Sequence, residues 1–143
     1  MEMMGVSVKE CSRHGLYVDS GASVKATQCE FSENKAAGLA FFAGLKGIFN
    51  CSVHHNGDDG EEGVYAQDEC TLVELRGEQT EIHHNGFGLV GCINATINIY
   101  IPSRPITALV HDNTLDLDTE DGAKIQSQLS SSSLELTVIH PVP

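Results

Sequence analysis

Two histidine pairs are the residues whose type and spacing come nearest to a metal site. His54-His55 and His83-His84 each precede an asparagine, so they occupy matching places in two copies of one short pattern. Imidazole nitrogens bind Zn²⁺ and Cu²⁺, and a carboxylate can add an oxygen ligand. If the two copies lie side by side, His54 and His83 could share an ion, with Glu33 nearby as the oxygen ligand. The alternative is that these histidines are surface residues of a turn, repeated because the pattern is repeated.

A second candidate is an acidic loop between the two pairs. It holds four carboxylates among glycines: Asp58, Asp59, Glu61 and Glu62. Ca²⁺ takes about six to eight oxygen ligands, and carboxylates on a loop made flexible by glycine could supply several of them. The spacing is not that of an EF-hand, and the alternative is a solvated loop without an ion.

The elements that position these residues form an internal repeat. A glycine followed by an apolar residue recurs at Gly15, Gly38, Gly63 and Gly88, a spacing of 23 to 25 residues. A fixed period of about 20 to 50 residues is typical of solenoids and arrays. Apolar residues alternate within each copy, as in strands, and no helical stripe is present between residues 5 and 101. The sequence therefore predicts short strands and turns that wind into a solenoid.

Stacking of the turns would align equivalent residues into columns, because paired strands lie about 4.8 Å apart. Three columns are predicted to face inward: Val8, Phe31, Val53 and Ile82; Leu16, Leu39, Val64 and Leu89; and Val6, Cys29, Cys51 and Thr80. A fourth column contains Asn34, Asn56 and Asn85. Asparagine tolerates left-handed backbone and bonds to neighbouring amides, so these three residues are predicted to form a structural ladder at one turn.

The segment 29–34, Cys-Glu-Phe-Ser-Glu-Asn, with Gly38-Leu39 and the copies at 51–56 and 80–89, resembles a known repeat. It is similar to the repeat of right-handed parallel β-helix proteins of the pectin-lyase-like superfamily. The resemblance covers about residues 5–101 and implies an all-β, right-handed parallel β-helix of about five or six turns. That superfamily includes polysaccharide lyases, hydrolases and epimerases, some of which use Ca²⁺, and also scaffolds without catalysis. The resemblance therefore implies a fold rather than an activity.

The sequence predicts one domain with two parts. Residues 1–110 are assigned to the repeats, and residues 111–143 to irregular final turns or a C-terminal cap. A fifth turn is predicted within 92–110, with Ala108-Leu109-Val110 in place of the glycine–leucine step. Beyond that point the repeat becomes indistinct, and the serines of 130–133 predict a flexible linker.

Composition limits the partners and the compartment. The formal net charge of −12, from 20 acidic and 8 basic residues, argues against nucleic acid and against anionic membrane surfaces. The sequence shows no transmembrane run and no signal peptide, so a cytoplasmic location is the default expectation. Five cysteines without a CxxC motif fit free thiols in a reducing compartment, and Cys29 and Cys51 are interpreted as small core residues.

Two classes of function are compatible with the sequence. The first is a non-enzymatic β-helix module for binding or assembly, with a carbohydrate or a protein as ligand. The second is a carbohydrate-active enzyme of the lyase, hydrolase or epimerase kind, or a fragment of one. Glycoside hydrolysis needs two placed carboxylates, and no motif here identifies such a pair, so no catalytic residue is assigned. Ca²⁺ is the one cofactor considered.

Self-association is also predicted. The chain enters the repeat at Val6, and the residues before it include three methionines and one charge, Glu2. An open end of a solenoid exposes unpaired backbone, which natural sheets cover, charge or pair. The sequence therefore predicts a homo-oligomer that forms through an end or an edge of the solenoid.

Overall fold

A computed structural model describes residues 1–43, 46–57, 60–100, 104–129 and 132–135. In this part of the chain, short strands follow one another with a single helical turn among them. The elements are β1 (Glu2–Met4), β2 (Ser7–Lys9), β3 (Leu16–Val18), β4 (Ser23–Ser32), β5 (Leu39–Phe42), β6 (Lys46–His54), β7 (Glu62–Gln67), β8 (Leu72–Arg76), β9 (Glu81–His83), β10 (Phe87–Cys92), β11 (Thr96–Tyr100), α1 (Ile106–Leu109), β12 (Val110–His111), β13 (Leu115–Thr119), β14 (Lys124–Leu129) and β15 (Ser132–Glu135).

Apart from β14 and β15, strands that are neighbours in space lie one turn apart in the chain, and they pair in parallel. Strands β3, β5, β7, β10 and β13 form one sheet in that spatial order. The second sheet is bent into two faces, because β4 and β6 each serve both of them. The register of β4 against β6 shifts between Thr27 and Glu30, where Gln28 has a left-handed φ of 54°. The predicted all-β parallel β-helix is thus confirmed, with about five turns and three strand-bearing faces.

The interior is filled by the predicted columns. Phe31 pairs with Val8 on one side and Val53 on the other, and Val53 pairs with Ile82. The column of Leu16, Leu39, Val64 and Leu89 is likewise in register. Burial of these side chains is nearly complete from the second turn onward. The column headed by Val6 departs from prediction at its first member, because Val6 is 40% exposed whereas the cysteines and the threonine that follow are buried.

The fifth turn is built differently from the prediction. Val110 pairs with Ile82, so it continues the Phe31 column, and Leu117 pairs with Leu89. The interpretation of Ala108-Leu109-Val110 as the glycine–leucine step is therefore wrong. Residues 106–109 form the helical turn α1 instead, and Pro105, whose φ of −69° and ψ of 152° are extended, lies directly before it.

The parallel stack extends beyond residue 110. Strand β13 pairs with β10, and β14 pairs with β11, so the boundary placed at residue 110 falls inside the fifth turn. Strand β15 then pairs with β14 in the antiparallel sense and covers its edge. Two of the four serines predicted as a linker, Ser132 and Ser133, belong to this strand. At the other end, β1, β2 and β3 pair on one side only among the described residues, and the self-association through this edge stays a prediction.

Candidate functional site

A ladder of asparagines runs along one corner of the solenoid, with one residue from each of several successive turns. The backbone N–H and the side-chain Nδ2 of Asn34 both donate to Oδ1 of Asn56, at 3.1 and 2.9 Å. The same two bonds join Asn56 to Asn85, at 3.1 and 3.0 Å. All three residues are buried. The ladder continues to Asn113, which receives both bonds from Asn85 at 2.8 and 3.0 Å. Asn113 was not predicted from the sequence, although it follows His111 and Asp112 as Asn85 follows the second histidine pair.

At this corner the residue with left-handed backbone is the one before the asparagine, not the asparagine itself. It recurs with φ between 54° and 57° at Glu33, His55, His84 and Asp112, and also at Glu10, which precedes Cys11 in the first turn. The asparagines instead bind the backbone of the turn. Nδ2 of Asn56, for example, donates to the carbonyl oxygens of Phe31 and His54, at 2.9 and 3.1 Å.

The left-handed position brings each histidine pair together. Consecutive residues of a strand point to opposite faces, but the left-handed backbone at His55 and His84 breaks that alternation. The Nδ1 atoms of His54 and His55 therefore lie 2.7 Å apart, with the two rings almost perpendicular. His83 and His84 repeat this geometry with the same 2.7 Å separation.

The pairs also stack between turns. The rings of His54 and His83 are parallel with centroids 5.0 Å apart, and those of His55 and His84 lie 4.9 Å apart. His111 extends the first column, at 5.4 Å from His83. The structure thus forms two imidazole columns along the outer surface. The place of His111 was missed in the sequence because the repeat was thought to fade there.

The predicted metal ligands do not converge as a set of three. His54 and His83 face each other through their ring planes, and Glu33 lies in the column of His55. Within the described residues, one group of three side chains brings its potential ligand atoms within 4.8 Å of one another: Cys92, Glu120 and Asp121. Glu120 and Asp121 are exposed, whereas Cys92 is partly buried, and its Sγ lies 3.8 Å from an oxygen of Asp121.

Carboxylates flank both ends of the main histidine column. Nε2 of His54 lies 2.8 Å from the carboxylate of Glu30, a contact that lowers the pKa of Glu30. His111 lies between Asp112 and Glu81, each 2.8 Å away, and these bonds raise the pKa of His111. Burial lowers the pKa of His83 in the middle of the column. Protonation is therefore less favourable at His83, in the middle of the column, than at His111 at its end.

The acidic loop is described only in part. Asp58 and Asp59 lie outside the described residues. Glu61 is exposed, whereas Glu62 starts β7 and is half-buried. Burial, reinforced by the neighbouring Glu61 carboxylate, raises the pKa of Glu62 to about 7. At neutral pH Glu62 is therefore partly protonated.

This raised pKa predicts a pH-dependent loss of stability. The folded protein binds the Glu62 proton more tightly than the unfolded chain does, so stability should fall as the pH rises from about 4.5 to about 7. Glu62→Gln keeps the neutral form at every pH. It is expected to raise the melting temperature at pH 8 relative to wild type and to change it little at pH 4.5. Thermal unfolding at the two pH values checks this, with the exposed Glu69→Gln as control, and an equal effect of both variants would contradict it.

An aromatic strip on the opposite sheet was missed by sequence analysis. Tyr17 of β3, Phe42 of β5 and Tyr65 of β7 lie on its outer face, with ring centroids 5.2 and 5.4 Å apart. Ala40 pairs with both tyrosines, and its small side chain leaves room for the rings. Tyr17 is 54% exposed, so the strip is open to solvent at that end.

Polar groups border the aromatic strip. The Tyr65 hydroxyl donates to Oε1 of Gln67 at 2.7 Å. Burial, with Cys92 and the carboxylates of Glu62 and Glu120 nearby, raises the pKa of the Tyr65 hydroxyl. The strip therefore combines a flat apolar surface with an amide and an acidic border.

Two open hollows lie on the described surface. One lies between Asp68 and Asn94, and another is lined by Arg13, His14 and Tyr17 beside the aromatic strip. Across the described ranges, no helix has the length and apolar character needed to span a bilayer.

Parallel strands stacked in register, buried columns and a side-chain ladder define the class of protein as a parallel β-solenoid. The chain belongs to the right-handed β-helix family, since the family model described as a right handed beta helix region matches residues 1–117. No curated protein and no solved structure gives a significant match. This family specifies the fold, whereas function depends on the sites that the surface of this chain presents.

Proposed function

We propose that this protein is a non-enzymatic binding module that holds a linear, uncharged saccharide along the aromatic strip. The observation that supports the proposal is the row of three rings, Tyr17, Phe42 and Tyr65, contributed by three successive turns. Aromatic rings offer large flat apolar surfaces, on which the apolar face of a sugar ring can stack.

The spacing of the strip suits a polymer. Successive turns of the solenoid lie about 4.8 Å apart, so a chain that runs along the solenoid axis meets one ring per turn. Rigid rings need little ordering on binding, which lowers the entropic cost of holding an extended ligand. Gln67 and Glu62 border the strip, and their polar atoms are suited to hydrogen-bond with hydroxyl groups.

Charge narrows the class of saccharide. The net charge is −12, and Glu62 and Glu120 lie close enough to Tyr65 to affect its hydroxyl. A polyuronate would be repelled by such a surface, whereas a neutral hexose or pentose polymer would not. Neutral glucans, mannans and xylans are therefore the expected ligands, and polygalacturonate is not.

Affinity electrophoresis against these four polymers, followed by calorimetry with a soluble oligosaccharide, tests the proposal. Tyr17→Ala and Phe42→Ala are each expected to lower affinity about tenfold, or about 1.4 kcal/mol. Tyr100→Ala is a matched control, because that aromatic ring lies on another face against Arg76. Binding that survives both strip variants, or no binding to any neutral polymer, would overturn the proposal.

A carbohydrate-active enzyme is the second candidate, and Glu62 favours it. A carboxyl group with a pKa of about 7 can donate a proton at neutral pH, and Glu62 shares β7 with Tyr65 of the strip. The same polymers can be assayed for new reducing ends, with Glu62→Gln as the inactive variant. Repeating these assays with Ca²⁺ and with EDTA also tests the proposed calcium site of the acidic loop.

A further inference from the structure

We propose that the two histidine pairs, His54–His55 and His83–His84, form a site for a divalent ion of the tetragonal, nitrogen-preferring kind, Cu²⁺ above all. The ligands would be the two Nδ1 atoms of one pair. The second pair, one turn away, offers an equivalent set of two nitrogens. This site is independent of the proposed saccharide binding, because the aromatic strip lies on a different face of the solenoid.

The hydrogen bonds fix which nitrogen is available. The Glu30 carboxylate lies 2.8 Å from Nε2 of His54, so Nε2 carries the proton. A neutral His54 then has its lone pair on Nδ1, directed at Nδ1 of His55 at 2.7 Å. One proton lies between these two nitrogens, and it is donated by His55. Loss of this proton from Nδ1 and uptake of one at Nε2 of His55 leaves both Nδ1 lone pairs free, and an ion bound to both nitrogens would lie to one side of the line that joins them, with the rings turned towards it.

The outer carboxylate supports the metal-binding role of His54. A ligating histidine commonly donates its other N–H to a carboxylate, which fixes the ring and makes the ligating nitrogen more basic. Glu30 makes this contact with His54.

The separation of the nitrogens selects the metal. An ion about 2.0 Å from both nitrogens, the usual distance for imidazole, would see two atoms 2.7 Å apart at an angle of about 85°. Tetragonal Cu²⁺ and Ni²⁺ require about 90°, whereas tetrahedral Zn²⁺ requires about 109°. Cu²⁺ also has the highest affinity of the divalent first-row metals for such ligands.

One ion should dominate. The rings of the two pairs stack at 4.9 and 5.0 Å, and two dications this close would repel each other strongly. The first equivalent of Cu²⁺ is therefore expected to bind much more tightly than the second. The ring of His111, which stacks on His83, adds no further ligand, because both of its nitrogens are bound by carboxylates.

Copper titration of metal-free protein, purified without a polyhistidine tag and with free Cu²⁺ buffered by glycine, tests the site. Wild type is expected to bind one equivalent tightly, with an axial paramagnetic resonance spectrum that shows nitrogen couplings, and to bind Zn²⁺ more weakly. The double variant His55→Asn, His84→Asn removes one ligand from each pair. It should lose at least a hundredfold in Cu²⁺ affinity, and asparagine suits the left-handed backbone at both positions.

His111→Asn is the matched control, since it removes a stacked histidine whose nitrogens are not free to bind. It should leave the first Cu²⁺ equivalent unchanged. His54→Ser serves as a second ligand variant, because Ser32 occupies the same column one turn earlier and the turn accepts it. Circular dichroism of the metal-free variants verifies folding. Wild type that binds no Cu²⁺, ligand variants that keep wild-type affinity, or an equal loss in His111→Asn would each overturn the proposal.

Discussion

Phe31→Asp is expected to leave the protein largely unfolded under conditions in which wild type is folded. Phe31 is fully buried and pairs with Val8 and Val53 in the adjoining turns. Loss of the ring removes about 3–5 kcal/mol of packing, as for other large core side chains replaced by small ones. An ionised carboxylate in this apolar column costs several kcal/mol more, of a total stability of about 5–15 kcal/mol for a typical domain.

Urea unfolding followed by circular dichroism measures this effect. Tyr17→Asp introduces the same charge in place of an aromatic ring that is 54% exposed, and it should cost less than about 1 kcal/mol. Phe31→Leu should lie between wild type and Phe31→Asp, because it keeps the column apolar. If Phe31→Asp unfolded at the wild-type urea concentration, the interior column would not be the source of stability.

Asn56→Ala is expected to destabilise the protein by about 3 kcal/mol without unfolding it. Its side chain accepts two bonds from Asn34 and donates to the carbonyl oxygens of Phe31 and His54 and to Asn85. Truncation leaves buried backbone groups on two turns without a partner, at about 1–3 kcal/mol for each group. No water replaces these bonds easily, since Asn56 is only 2% exposed.

Asn50→Ala is the matched control for this variant. Asn50 also bonds between turns, to Oε1 of Gln79 at 3.0 Å, but the bond is exposed and water can substitute for it. Its loss should cost less than about 1 kcal/mol. Saccharide affinity, measured well below the melting temperature, should be unchanged in both variants. Equal melting temperatures for the two would contradict the structural role proposed for the ladder.

Much of the fold could be predicted because the repeat is recognisable from the spacing of residue types in the sequence. A period of 23 to 25 residues, with apolar residues alternating in each copy, permits one economical arrangement in which equivalent residues stack. The apolar columns of Phe31 and Leu39 and the asparagines at 34, 56 and 85 follow from that period alone. The structure of the fifth turn did not follow from the period, because Pro105 and the helical turn α1 lengthen this turn and displace its apolar residues from the expected spacing.

The candidate sites depended on tertiary structure, for two physical reasons. The contact between His54 and His55 arises from a left-handed backbone at residue 55. The same backbone conformation occurs in the other turns at Glu10, Glu33, His84 and Asp112, so the residue type at this position does not reveal it. The aromatic strip is not a column of equivalent residues, since Phe42 is offset by two positions from the tyrosines. The period therefore determined which residues stack, whereas backbone conformation and diagonal packing decided which side chains meet at the surface.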